Sequence, residues 1–275
     1  MSYRTLMTMP ILGQTNAVLL ESTARLARKL DAAVIGVAAC RPVHAVCRDY
    51  AIPAGVFEED RKQIERQIHD TEVQFRSALS DHSGSVQWRA HACLEPLASR
   101  LARESALADL IVVSLAADGK PGDTTRQPDL CDLVMQAGRP VLLVPSAQPL
   151  AGLDRVLIAW KDTREARRAV ADGLPLLAKA TEVTVVAIGD SRDAADAHSG
   201  IARVQAWLAR HDIAAKAKTV PPHRANAQQL IGIAREMKAD LVVAGASGYV
   251  RQGRWVLGGI TSELLSGDTC ALVSH

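Results

Sequence analysis

The chain has 275 residues, 48% of them hydrophobic, which is length and apolar content enough for two cores of ordinary size. A formal net charge of +2 argues neither for nor against a polyanionic partner. An aromatic content of 3% excludes the stacking platforms of a single-stranded nucleic-acid binder, so no nucleic-acid partner is expected.

Five cysteines without regular pairing do not make a disulfide framework. No run approaches the roughly 18 apolar residues of a membrane span, and MSYRTLMTMPILGQ lacks a basic region followed by a long apolar core. A cytoplasmic protein without a membrane partner is expected.

The first half alternates strand and helix. Arg4–Met9 is a strand, and Asn16–Leu30 a helix with Leu19, Leu20, Ala24, Leu26 and Ala27 on one side. Ala33–Ala39 is a second strand, continuously apolar as strands covered on both faces tend to be. Residues 41–54 form a loop, and a long amphipathic helix runs from about Glu58 to Leu79. Val86–Ala92 is a strand, Leu94–Ser105 a helix, Asp109–Leu115 a strand, Asp129–Ala137 a helix stopped by Gly138, and Pro140–Val144 a strand.

Pro145–Gly152 is a linker of proline, glycine and small residues, after which the pattern restarts. Strands are expected at Arg155–Trp160, Glu182–Ile188, Ala215–Val220, Asp240–Gly245 and Cys270–Val273. Helices are expected at Thr163–Lys179, Asp193–Arg210, Ala225–Met237 and Gly259–Ser266. Ala108-Asp109-Leu110-Ile111-Val112-Val113 pairs with Ala239-Asp240-Leu241-Val242-Val243-Ala244, so the halves are repeats, residues 1–147 and 153–275. Alternation with right-handed crossovers predicts an α/β fold with doubly wound parallel sheets.

The chemistry concentrates in DLVVAGASGYVRQGRWVLGGIT, from Asp240 to Thr261. A buried strand breaks on Gly245, Gly248 follows, and Gly258-Gly259-Ile260-Thr261 opens a helix. Missing side chains let an anion approach backbone amides at a helix N-terminus, the arrangement of a phosphate cradle. The spacing is neither G-x-G-x-x-G nor a Walker A loop. Packing alone is the competing explanation of these glycines. Arg251 and Arg254 fall in the same loop, either near phosphates or solvated.

At these residues the chain resembles the universal stress proteins, whose nucleotide-binding members carry G-x2-G-x9-G-[ST] after the fourth strand. The three glycines match. Gly259 stands where the family has Ser or Thr, and Thr261 where it often has a second hydroxyl. The resemblance implies two five-stranded sheets of the adenine nucleotide alpha hydrolase-like type, each with strand order 3-2-1-4-5. It also implies halves packed as a pseudo-dimer, a homodimer as the further assembly, and ATP or AMP bound in the second half. The implied contacts are Trp160, Lys161, Asp162, Gly245, Ser247, Gly248, Gly258, Gly259 and Thr261. Aligned with the family, Lys161 occupies the place of an Asp that holds the nucleoside. A one-residue shift would let Asp162 serve, and Asp162 equally suits the cap of the following helix.

The first half lacks the cradle. Its loop carries Gly119 and Gly122, but Arg126-Gln127-Pro128-Asp129-Leu130 precedes the last helix, and an acidic first turn repels phosphate. A second constellation, Cys40, His44, Cys47, His91 and Cys93, falls near the ends of neighbouring strands and could take zinc, although Cys40-x3-His44-x2-Cys47 matches no standard module. Small buried thiols are the competing reading.

No nucleophile elbow surrounds Ser114, Ser247 or Ser262, and no Walker lysine follows the glycines. No catalytic group is assigned; slow ATP hydrolysis is the most the resemblance leaves. A scaffold or interaction protein, or a binder of another small ligand or metal, is the alternative to a stress-response nucleotide binder.

Overall fold

The computed structural model describes residues 2–42, 54–115, 123–189, 194–223, 225–251 and 254–275. The first half contains β1 (Thr5–Thr8), α1 (Ala17–Leu30), β2 (Ala33–Cys40), α2 (Ala54–Ala78), β3 (Val86–Ala92), α3 (Leu97–Glu104), β4 (Leu110–Ser114), α4 (Leu130–Gln136) and β5 (Val141–Val144). The second begins with β6 (Arg155–Ala159), α5 (Arg164–Leu177), β7 (Glu182–Ile188), α6 (Ala194–Ala209), β8 (Ala215–Val220), α7 (Asn226–Glu236) and β9 (Leu241–Gly245). It ends with β10 (Gly248–Arg251), β11 (Arg254–Leu257), α8 (Gly259–Ser266) and β12 (Ala271–Ser274).

Continuous apolar strands form because helices cover both faces of the sheet. Alternate residues feed two cores: Val156 and Ile158 of β6 enter one, packed against Val170 and Val204, while Leu157 enters the other with Leu230 and Leu264. In the first half Leu19 and Phe75 lie on the first side, and Leu97, Leu101 and Leu133 on the second. No helix among the described residues is long and apolar enough to cross a membrane.

The strand order is β3-β2-β1-β4-β5-β12-β9-β6-β7-β8, so each half has the order 3-2-1-4-5. The expected two separate sheets are corrected to one ten-stranded sheet. The fifth strands meet antiparallel, Leu142 opposite Leu272 and Val141 opposite Val273, while every other pairing in that sheet is parallel. The reason lies in their composition. VLLV and ALVS are fully buried apolar segments, and leaving either as an edge would expose unpaired amides beside hydrophobic side chains.

Other contacts span the junction. The Tyr3 hydroxyl donates to the Asp172 carbonyl, the Leu150 amide donates to Ser22 Oγ at 3.0 Å, and Arg168 reaches the Gly138 carbonyl at 3.4 Å.

The glycine segment differs from an open loop. It folds back as a two-stranded hairpin, Gly248 opposite Leu257 and Tyr249 opposite Val256.

Candidate functional site

The hairpin connects β9 to α8 at the carboxyl end of the second half's central strands. The Ala246 amide donates to the Ser274 carbonyl at 2.7 Å, and His275 Nδ1 lies 3.0 Å from the Ala246 carbonyl. The Trp255 ring meets the His275 ring edge-on at 6.0 Å. The Gly258 amide returns to the Ser247 carbonyl at 2.8 Å, closing the hairpin base.

Each glycine has its own surroundings. A Cβ on Gly245 would stand 2.4 Å from the Ala166 amide nitrogen, and one on Gly248 3.3 Å from Met135 Cε, a residue of α4 in the other half. A Cβ on Gly258 would meet Ser247 Oγ at 2.5 Å. Close packing against backbone thus requires glycine at 245, while at 248 the fit is tight and at 258 the obstacle is a rotatable hydroxyl. Gly259 differs: it is exposed, and its nearest neighbour in that direction is Ala227 Cβ at 4.0 Å.

Helix α8 starts at Gly259 with Gly258 as its N-cap and no side-chain cap. Its first amides lack the side-chain acceptor that most helix starts supply. Thr261 is buried and its hydroxyl donates to the Gly245 carbonyl at 3.4 Å, so it braces the strand exit instead of facing outward.

The neighbouring α5 is closed. Thr163 Oγ1 accepts the Ala166 amide at 3.3 Å as N-cap. The Glu165 carboxyl is held below its usual range, first by its own backbone amide and then by Thr163 and Arg164. The cap is thus Thr163, and the capping alternative for Asp162 is corrected. The Asp162 carboxylate pairs with Arg167 Nε at 2.9 Å and with Arg203 at 3.2 Å.

The structure brings Gly245, Ser247, Gly258, Gly259 and Thr261 together around the start of α8. It does not bring Trp160 and Asp162 to them. Trp160 packs into the core of the opposite sheet face, and both residues line a pocket between α5 and α6. Strand alternation forces this, since Trp160 follows Val156 and Ile158 by even steps. Lys161 is exposed. The side chains of Arg251 and Arg254 lie outside the described set.

Sequence reasoning missed the α5–α6 pocket. Gly200, Arg203, Val204 and Trp207 recur at intervals of three and four along α6, the signal of one helix face.

At the equivalent place in the first half, a cavity of about 370 Å³ lies between the ends of β1 and β4, lined by Met9, Val113, Asp129 and Leu265 of α8, among others. Its helix start is occupied. Asp129 Oδ1 accepts the amides of Cys131 at 2.9 Å and Asp132 at 3.1 Å, which puts a carboxylate where a phosphate would sit. Gly119 and Gly122 fall outside the described residues.

The described members of the Cys/His constellation do not converge as a metal site. His91 is engaged by Arg100, 2.8 Å from Nδ1, and lies 3.1 Å from Glu104 through Nε2. Cys40 is fully buried in its own small cluster with Leu12 and Ile64. Cys93 Sγ points at the Cys40 carbonyl, 3.6 Å away. Burial pushes the Cys40 thiol up to about 11. Among the described residues no three His, Cys, Asp or Glu side chains gather as a metal site. His44 and Cys47 lie outside them.

No family model and no curated protein matches the sequence. Solved structures do match in fold. A universal stress protein from Archaeoglobus fulgidus DSM 4304 superposes with a TM-score of 0.71 at 12% identity, over 98% of this chain and 97% of that one. A Pseudomonas aeruginosa UCBPP-PA14 structure described as a universal stress protein gives 0.61 at 16% identity, over 99% of this chain and 93% of that one. A Pseudomonas aeruginosa PAO1 protein of unknown function gives 0.59 at 16% identity, over 99% and 92%. The chain thus has an α/β fold of the adenine nucleotide alpha hydrolase-like class. More narrowly, it carries the universal stress protein fold twice in tandem along one sheet.

Proposed function

We propose that the protein is a tandem universal stress protein of two domains, residues 1–147 and 153–275, packed as a pseudo-dimer. In this reading it serves as a stress-response module that binds ATP or AMP through its second domain. The observation that carries this is the start of α8: two successive glycines, no side-chain cap, and open space beside Gly259. Helix-terminal amides freed in this way attract anions through unpaired N–H groups and the helix dipole. The starts of α4 and α5 are closed by Asp129 and Thr163, whereas α1, α3 and α7 share the lack of a side-chain cap, so the paired glycines are what set α8 apart.

Phosphate recognition by backbone is the part of the site that fits. The nucleoside would be held differently from the family pattern, because the Asp162 carboxylate is committed to Arg167 and Arg203 on the other face. Among its described residues the loop places no side chain as a general base, and the reading proposed is one of binding.

Isothermal calorimetry with ATP and AMP tests the reading. The expected result is one site per chain in the native protein, lost in Gly259→Asp, which places a carboxylate on the first residue of α8, one position beyond the N-cap place that Asp129 holds in α4. No binding at millimolar nucleotide would leave the second reading, a scaffold. That one is favoured by the hairpin itself, whose Tyr249 and Val250 are both 58% exposed.

A further inference from the structure

The sheet face opposite the glycine hairpin carries a pocket of about 520 Å³ between α5 and α6. Its size falls in the range of small-molecule sites, roughly 300–1,000 Å³. The inner wall is apolar: Trp160, Val170, Val204 and Trp207, with Gly200 contributing no side chain. The rim is charged. Arg167 and Arg203 converge on the two oxygens of one carboxylate, Asp162, which among the described lining residues leaves one net positive charge and guanidinium N–H groups beyond those two bonds.

One polar atom in the wall lacks a partner. The Trp160 indole N–H is buried and finds no hydrogen-bond acceptor among the described residues. A buried donor left unpaired carries a desolvation penalty, so its persistence calls for an explanation. The Gly200 position bears on this, because a Cβ there would come within 3.3 Å of Trp160 Nε1. Any larger residue would crowd the indole and fill the pocket.

We infer that this pocket binds a small aromatic carboxylate. The ring would lie against the indoles and valines, and the carboxylate would share the arginine N–H donors now used in part by Asp162. An oxygen of the ligand would supply the acceptor the Trp160 N–H lacks. Two tryptophans favour a flat apolar body over a sugar, and the excess of arginine over carboxylate favours an anion over an amine. The inference is independent of nucleotide binding at α8, which lies on the other face.

Calorimetry on the full chain with naphthalene-2-carboxylate and its uncharged counterpart naphthalene-2-methanol tests it. The acid is expected to bind one per chain, at least tenfold tighter than the alcohol, with a change in tryptophan emission and no competition from AMP. The double variant Arg167→Gln/Arg203→Gln alters only exposed side chains and is expected to bring the acid to or below the affinity of the alcohol. Gly200→Leu is expected to abolish both. Absence of saturable binding, equal affinity for acid and alcohol, or an unchanged affinity in the double arginine variant would each overturn the inference.

Discussion

Gly245 at the end of β9 lies directly against the first turn of α5, its would-be Cβ 2.4 Å from the Ala166 amide nitrogen and 2.5 Å from the Glu165 carbonyl carbon. The obstruction is backbone, which cannot rotate aside as a flexible side chain would. Helix α5 therefore docks on the strand end only because residue 245 has no side chain.

Gly245→Ala is expected to destabilise the protein by about 1–3 kcal/mol, the usual result of inserting a carbon into a packed interior. Urea unfolding checks it: the midpoint should fall while the slope holds. A midpoint equal to that of the native protein would show that α5 can shift freely, and the packing account of Gly245 would fail.

This relationship also shows how far the sequence could be read. The repeat of Ala108–Val113 in Ala239–Ala244 and the continuously apolar strands made the doubly wound order accessible, because burial on both faces leaves a run of Val, Ile, Leu and Ala. The single ten-stranded sheet was not accessible. Which edge of each half meets the other depends on the fit of VLLV against ALVS in space, and both strings read simply as buried strands. The site was half accessible. Glycine spacing located the loop, but the same glycines serve a hairpin and helix packing, and spacing alone does not separate these uses. Trp160 and Asp162 were grouped with the loop through the resemblance, whereas the period-two alternation of β6 sends Trp160 to the opposite face.

The junction makes a second prediction. Leu272 is fully buried and sits opposite Leu142 where the halves meet. Leu272→Ala is expected to destabilise by about 2–5 kcal/mol through lost contacts and a residual cavity. Because β12 is hydrogen-bonded to both β5 and β9, amide exchange should quicken in β4 of the first half as well as in β9 of the second. Acceleration confined to β9 would mean that the halves unfold separately.

Asp129 offers a third test, in the first half. Its carboxylate satisfies two amides at the start of α4, and Asp129→Ala is expected to lower stability by about 1 kcal/mol. Asp129→Ser, which keeps an acceptor, should restore most of the loss. If the alanine variant were as stable as the native protein in thermal unfolding, the capping assignment would be wrong.

His91 provides a pH-dependent test. Burial lowers its pKa below the ordinary value of 6.5, the Arg100 guanidinium lowers it further, and Glu104 opposes both. The unfolded chain therefore binds the proton more readily than the folded one. Between the folded pKa and 6.5 the unfolded state carries more protons, so stability from this group is fully present above 6.5 and is lost as pH falls through the folded value. Ring resonances followed by NMR should show His91 titrating with a midpoint below 6.5, and His91→Gln should flatten the acid limb of the stability profile. A midpoint at or above 6.5 would mean that Glu104 outweighs desolvation and Arg100, and the sign of the pH effect would reverse.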